Sequence, residues 1–217
     1  MCLYDIGANV GFWALVLSRL SEPSGSVAAI EPHPQVVERL TRNIELNDSQ
    51  IRLIRVESCA VGNIDGTVRF SLSLSETQVR FEGLPHVKPG HSIDVESKRL
   101  DTYILQGNSV PDVILMDVEH AEGYVLEGMT QVLEIYHPLL VIEMHGPEAI
   151  AQAWRELQTH SYDLMRIDTS TRIASQDEIT YGHYFAAPAS YFAKSNSVLT
   201  LISTEGLASP VRLDKHV

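Results

Sequence analysis

Cysteine is nearly absent: Cys2 and Cys59 are the two in 217 residues. Both sit in apolar, strand-like contexts, with no disulfide framework or metal-knuckle spacing, so buried free thiols are expected. Long apolar runs are also missing, and no stretch reaches the roughly 18 consecutive apolar residues of a membrane span. The start, Met1-Cys2-Leu3-Tyr4-Asp5, has neither the basic region nor the apolar core of a signal peptide. Positive charge is scarce and scattered. Sixteen Lys and Arg stand against 28 Asp and Glu, a net charge of −12. Without a basic cluster, nucleic acid is excluded as the main partner, because such binding is driven by phosphate neutralisation. No membrane partner is expected, cytoplasm is the expected compartment, and a homo-oligomer stays open.

What is present is the composition of a globular α/β protein, 44% hydrophobic and 20% charged. The chain is organised around its opening stretch. Leu3, Tyr4 and Ile6 read as the end of a buried strand, and Gly7 and Gly11 bracket a sharp turn. From Phe12 to Leu20 the apolar spacing is helical. A glycine turn feeding a helix N-terminus presents N–H groups and a positive dipole end to a ligand. The pattern is Asp5-x-Gly7-x-Asn9-x-Gly11, not the G-x-G-x-x-G of dinucleotide binding. An acid before the turn repels a pyrophosphate but suits a ligand carrying an ammonium and a carboxylate, such as the amino-acid end of S-adenosylmethionine. Val27–Ile30 is a second apolar strand, ending in Glu31. In doubly wound folds an acid there hydrogen-bonds ribose hydroxyls. Each acid alone has a bland reading as a solvated loop carboxylate; the pair points to a nucleoside ligand.

Farther along, helices are expected over Gly11–Ser21 and Gln35–Leu46, the second with Pro34 at its first position, and a strand over Ile51–Val56 with Ile51, Leu53 and Ile54 apolar. Ser58 and Cys59, at that strand's end, are candidates to flank a base, or else a small-residue packing corner. Residues 64–98 read as a β insertion, with strands Thr67–Leu74 and Ile93–Ser97 around a polar loop, Glu76–Ser92. Then follow a short helix Leu100–Leu105, strand Val113–Met116, helix Ala121–Ile135, strand Leu139–Ile142 and helix Pro147–His160. Strands Asp163–Ile167 and His183–Ala187 form a final antiparallel pair joined by a polar loop, Asp168–Gly182. Residues 1–190 read as one domain. The tail 191–217 stays open, with Val198–Ile202 either strand or helix. The alternation predicts a doubly wound, Rossmann-like, mostly parallel sheet with an antiparallel last strand. Asp5, Glu31, Asp117 and Glu143 then fall at carboxyl ends of four strands, where such sheets bind ligands.

Several stretches together resemble the FkbM family of S-adenosylmethionine-dependent methyltransferases. They are Asp5-Ile-Gly-Ala-Asn-Val-Gly11, Glu31-Pro32-His33-Pro34 with Asn43-Ile-Glu-Leu-Asn47, Ala60-Val61-Gly62-Asn63, Arg99-Leu100-Asp101, Asp117 to Glu122, and Glu143-Met-His145. The similarity runs over about residues 3–187. It implies a class I methyltransferase fold, S-adenosyl-L-methionine as cofactor with S-adenosyl-L-homocysteine as product, and a hydroxyl acceptor on a sugar or small molecule. By the same resemblance Asp5, Gly7, Asn9, Gly11 and Glu31 hold the cofactor, and we add Ala8, Pro32, Ser58, Cys59 and Asp117 as its expected neighbours. Two departures stand out. The family places glycine where this chain has His120, which reads as a helix N-cap or an extra substrate contact. The family also carries sequence ahead of the first strand, which leaves a truncated copy, a cover from a partner subunit, or weak binding as alternatives.

Methyl transfer to a hydroxyl needs in-line placement and removal of the hydroxyl proton. His145 is the first candidate base, since its ordinary pKa lies near neutrality; it reads alternatively as a strand-end residue before Pro147. Asp117, Glu119 and Glu143 are further catalytic candidates. A divalent metal on Asp117, Glu119, Glu143 and His145 is open but not expected, because no D-x-D-type loop fixes the ligands. The competing readings are a non-catalytic methyltransferase-fold protein and a nicotinamide-dependent oxidoreductase. Asn9 and the antiparallel last strand argue against the latter.

Overall fold

The computed structural model describes residues 1–21, 24–47, 53–72, 79–81 and 92–194. Its first half is built from short apolar strands that alternate with amphipathic helices: β1 (Cys2–Ile6), α1 (Phe12–Leu20), β2 (Ser26–Ile30), α2 (Pro34–Glu45) and β3 (Leu53–Glu57). β1 and β2 are buried on both faces, as expected of central parallel strands. Proline at the first turn of α2 loses no hydrogen bond, and the His33 side chain accepts from the Gln35 amide at 3.2 Å as N-cap.

The second half adds β8 (Val113–Met116), α4 (Glu122–Glu127), β9 (Leu139–Met144), α5 (Pro147–Thr159), β10 (Tyr162–Arg166), β11 (Thr171–Ile173) and β12 (Gly182–Pro188), followed by α6 (Ala189–Lys194). The eight-stranded sheet runs β11-β10-β12-β9-β8-β1-β2-β3. β3, β2, β1, β8 and β9 are parallel. β12 returns antiparallel between β9 and β10, so the expected doubly wound sheet with an antiparallel last strand is present. One core face is formed by Tyr4, Ile30, Ile114 and Met116 against α4 and α5. The other packs Leu3, Val27 and Ala29 against Ala14 and Leu40.

A second sheet, β4-β7-β5-β6, comprises β4 (Ala60–Val61), β5 (Gly66–Leu72), β6 (Val79–Phe81) and β7 (Ser92–Lys98); α3 (Leu100–Leu105) follows it. It fills the expected insertion, 64–98, but also takes in β4 ahead of it and a strand, β6, inside the span read as a polar loop. The other residues of that loop outside β6 and Ser92, with Ser73, Leu74, Ile51, Val198–Ile202 and the rest of the chain beyond 194, lie outside the described residues.

Four expectations are corrected. Leu53 is 72% exposed, because on edge strand β3 it is Ile54 and Val56 that face the core. The helix over 121–135 is broken: α4 ends at Glu127, capped by Gly128, and a π-turn covers Val132–Tyr136. A Cβ on Gly128 would lie 1.8 Å from the Gly62 carbonyl oxygen, and Asp101 carboxylate Oδ1 accepts from the Val132 amide at 3.0 Å, so the second segment has its own cap. The loop 168–182 contains β11 and a 3₁₀ turn at Gln176–Glu178. Both cysteines are free, but Cys2 is only partly buried.

Candidate active site

The turn after β1 is shaped by contacts on both sides. Gly7 and Gly11 have φ of 83° and 90°, and Asn9 joins them at 49°. A Cβ on Gly7 would lie 1.8 Å from the backbone oxygen of Asp117, so glycine is required where the turn meets the end of β8. The amides of Gly7 and Ala8 both donate to the Ile30 carbonyl at 3.0 Å, and Gly11 N donates to Ala8. The turn's amides are therefore largely committed to the protein and not held out to a ligand as expected. The Asn43 side chain donates to the Val10 carbonyl at 2.7 Å, and Asn47 donates to the Asn43 carbonyl.

Glu31, at the end of β2, is buried, and its two oxygens are held apart by backbone donors. Asn9 N donates to Oε2 at 3.0 Å and His33 N to Oε1 at 2.9 Å. Burial raises its pKa, against these amides. Each oxygen keeps a second lone pair for a ligand hydroxyl.

A cleft opens at the carboxyl ends of the strands. Gly7, Asn9, Glu31 and Pro32 form one side; Cys59, Ala60, Val61 and Phe70 form an apolar wall; Asp117, Val118, Glu119 and Ala121 form the floor. Burial pushes the Cys59 thiol up to about 11, so it lines the wall as an apolar group. Phe70, from the inserted sheet, was not foreseen, nor were Ala60 and Val61.

Other expected residues lie elsewhere. Asp5 is 1% exposed, beneath the turn on the α1 side and outside the cleft lining, with neither carboxylate oxygen hydrogen-bonded. Burial pushes its pKa up to about 7; the Ala14 amide opposes this and the charges of Asp117 and Glu31 add to it. Its β1 position pairs in register with Ala29, so Asp5 and Glu31 do share a face of the sheet. Ala8 is buried in the core, Gly11 meets Leu40 of α2, and Ser58 is exposed outside the lining.

Behind the floor lies a cluster of acids and histidines. His145 is 6% exposed. Its Nδ1 lies 2.6 Å from Oε1 of Glu122, which is completely buried. Its Nε2 points toward Asp117 Oδ1 and Glu143 Oε1, each at 3.8 Å. Burial pulls the His145 pKa down, but the hydrogen bond and charge of Glu122 and the charges of Glu119 and Asp117 outweigh it and raise it. Burial and the adjacent Glu143 push Asp117 up to about 7. Glu143 is itself pushed up by burial, yet lies below its ordinary value because Tyr181, Asp117 and His183 stabilise its charge. Tyr181 OH donates to Glu143 Oε1 at 2.5 Å, and His183 Nε2 lies 3.4 Å from Oε2.

His120 is not a helix N-cap. Ala121 holds that position without a side-chain bond, and His120 Nδ1 lies 3.1 Å from the His145 carbonyl oxygen. Its φ of 76°, next to 46° at Glu119, is a left-handed conformation that suits the glycine implied by the family resemblance. Glu122 and Tyr181 were missed as site residues. An acid in the first turn of a helix ordinarily signals only the helix dipole, and Tyr181 lies in the polar loop 168–182, which is expected to shape the acceptor pocket but without any residue singled out.

Among the described residues no helix is long and apolar enough to cross a membrane. The family described as the methyltransferase FkbM domain matches residues 5–164. Hexuronic acid methyltransferase AglP of Haloferax volcanii is 30% identical over 155 residues, 66% of this chain and 56% of that protein. Methyltransferase sdnD of Sordaria araneosa is 26% identical over 194 residues, 76% of this chain and 74% of that protein. The chain thus spans little more than half the length of the first of these relatives. The crystal structure of methyltransferase FkbM from Methylobacillus flagellatus KT shares the fold, with a TM-score of 0.57 at 18% identity, covering 85% of this chain and 42% of that one.

Proposed function

This chain belongs to the FkbM family of methyltransferases, and we propose that it transfers the methyl group of S-adenosylmethionine to a hydroxyl oxygen on a sugar or other small molecule. The observation that carries the reading is the anchoring of Glu31: two backbone amides fix the carboxylate at the cleft while leaving acceptor capacity for a ribose diol. Cys59, Val61 and Phe70 offer the apolar wall for the base, and Gly7 and Asn9 border the amino-acid end. Bound there, S-adenosylmethionine supplies an activated methyl group on a sulfonium. Asp5 supports the turn from beneath and does not touch the ligand.

The chain's own residues then place the acceptor and remove its proton. Asp117 and Glu119 face the cleft, and Glu143 and His145 stand behind them. The four act as one acidic, proton-accepting group that binds the acceptor's hydroxyl beside the methyl donor. Placement supplies much of the rate, because the leaving group is already activated. The relative that acts on hexuronic acid makes a sugar acceptor the first to try.

The reading is tested by calorimetric titration with S-adenosylhomocysteine and NAD, followed by a methyl-transfer screen over sugars and hydroxylated small molecules. S-adenosylhomocysteine binds the wild type, Glu31→Ala weakens it at least tenfold, and NAD does not bind. NAD binding in its place removes the proposal. Binding without turnover on any acceptor favours a non-catalytic domain.

A further inference from the structure

We infer that Asp117, Glu143 and His145 form a binding site for one divalent cation beside the cleft. The site stands on its own geometry; its use in catalysis rests on the methyl-transfer reading. One donor atom from each residue lies within 4.8 Å of the others. Two donors bound at about 2.0–2.2 Å to one ion lie about 3–4 Å apart. His145 Nε2 is 3.8 Å from both carboxylate oxygens, which is too far for a hydrogen bond and suited to a shared centre.

The histidine gives the independent observation. Its side chain is more than nine-tenths buried, Nδ1 is taken by Glu122, and Nε2 makes no hydrogen bond among the described residues. The ring of this buried side chain aims Nε2 between two carboxylates at 3.8 Å, a place that a cation fills. Glu122 is the outer carboxylate that fixes the tautomer and ring angle of a metal-binding histidine. His183 meets the other oxygen of Glu143, Oε2, and Tyr181 donates to the Oε1 that faces His145. A cation also offsets the repulsion between the Asp117 and Glu143 carboxylates, which lie within 4.8 Å of each other.

Two carboxylates and one imidazole, with no thiolate, select a hard or borderline ion such as Mg²⁺ or Mn²⁺. Three protein donors leave coordination positions that take oxygens of the acceptor, either a neighbouring pair of hydroxyls or a hydroxyl and a carboxylate. The ion lowers the pKa of the coordinated hydroxyl, and Glu119, which lines the cleft outside the ligand set, is placed to accept the proton.

The test uses the full chain, freed of metal with EDTA and titrated with MnCl₂, with free Mn²⁺ read by electron paramagnetic resonance. One Mn²⁺ binds per chain. His145→Ala and Glu143→Gln each weaken it at least tenfold, and Glu122→Gln weakens it about 10–100-fold, while S-adenosylhomocysteine affinity stays at the wild-type value and reports an intact fold. If His145→Ala fails to fold, the isosteric Glu143→Gln carries the test. No saturable binding of Mn²⁺ by the wild type, or binding that these variants leave unchanged, overturns the site. Undiminished turnover in excess EDTA overturns its use. S-adenosylhomocysteine titration of the metal-free wild type reads the methyl-transfer proposal separately.

Discussion

Gly7 and Asp117 touch backbone to backbone: a side-chain carbon on the first would lie 1.8 Å from the carbonyl oxygen of the second. The turn after β1 and the end of β8 are thereby one surface, and the glycine-turn side of the cleft is held directly against the acidic residues that follow β8. Gly7→Ala forces this contact apart and also strains a φ of 83°. It is expected to cost about 3 kcal/mol or more and to abolish S-adenosylhomocysteine binding, as read by urea unfolding and calorimetry.

Asp5 makes stability depend on pH with a definite sign. Its folded pKa of about 7 exceeds the ordinary value, because burial penalises the charge. The native state therefore binds more protons than the unfolded chain, and stability falls as pH rises from about 4 to about 7. Asp5→Asn removes this dependence. The variant is expected to gain on the wild type by at most about 3 kcal/mol between pH 5 and pH 8, measured as urea unfolding free energy at each pH.

Phe70 enters the cleft from the inserted sheet, 5% exposed. Phe70→Leu keeps an apolar side chain in the small sheet and removes a flat face from the wall. S-adenosylhomocysteine affinity is expected to fall about tenfold, or about 1.4 kcal/mol, with the thermal midpoint of the unliganded protein little changed.

Asp101 joins two elements that the sequence separates. Its carboxylate accepts from the Val132 amide at 3.0 Å and from Thr130 Oγ1 and Arg99 Nη2 at 3.2 Å. Asp101→Ala leaves the Val132 amide orphaned and is expected to destabilise the fold by about 2–3 kcal/mol. Because Asp101 lies away from the cleft, S-adenosylhomocysteine affinity of the folded variant stays unchanged; unfolding and titration on the same sample separate the two.

Much of this fold could be read from the chain because parallel strands buried on both faces leave unbroken apolar runs, as at Val113–Met116, and because glycine and proline mark the turns. The acids at strand ends followed from topology alone, and Glu31, Asp117 and Glu119 do reach the cleft. What escaped depended on distance along the chain. The break at Gly128 is set by Gly62 and Asp101, neither of them nearby in sequence. Phe70 lines the cleft only because β5 pairs with β7 and β7 with β4. Asp5 could not be told from a ligand-facing acid, since alternation along β1 gives a side of the sheet but not a depth below the turn.

The antiparallel return of β12 has a consequence for how the protein is made. Glu143 pairs in register with His183, and Tyr181 reaches the same carboxylate. During synthesis, Gly7, Glu31 and Phe70 leave the ribosome well before those two residues. The half that holds Gly7, Glu31 and Phe70 can take shape early, whereas the acidic cluster waits for the hairpin from Tyr162 to Pro188 to slot into the sheet. If the proposed function holds, a nascent chain stalled short of Gly182 recognises the methyl donor before it has anywhere to seat an acceptor.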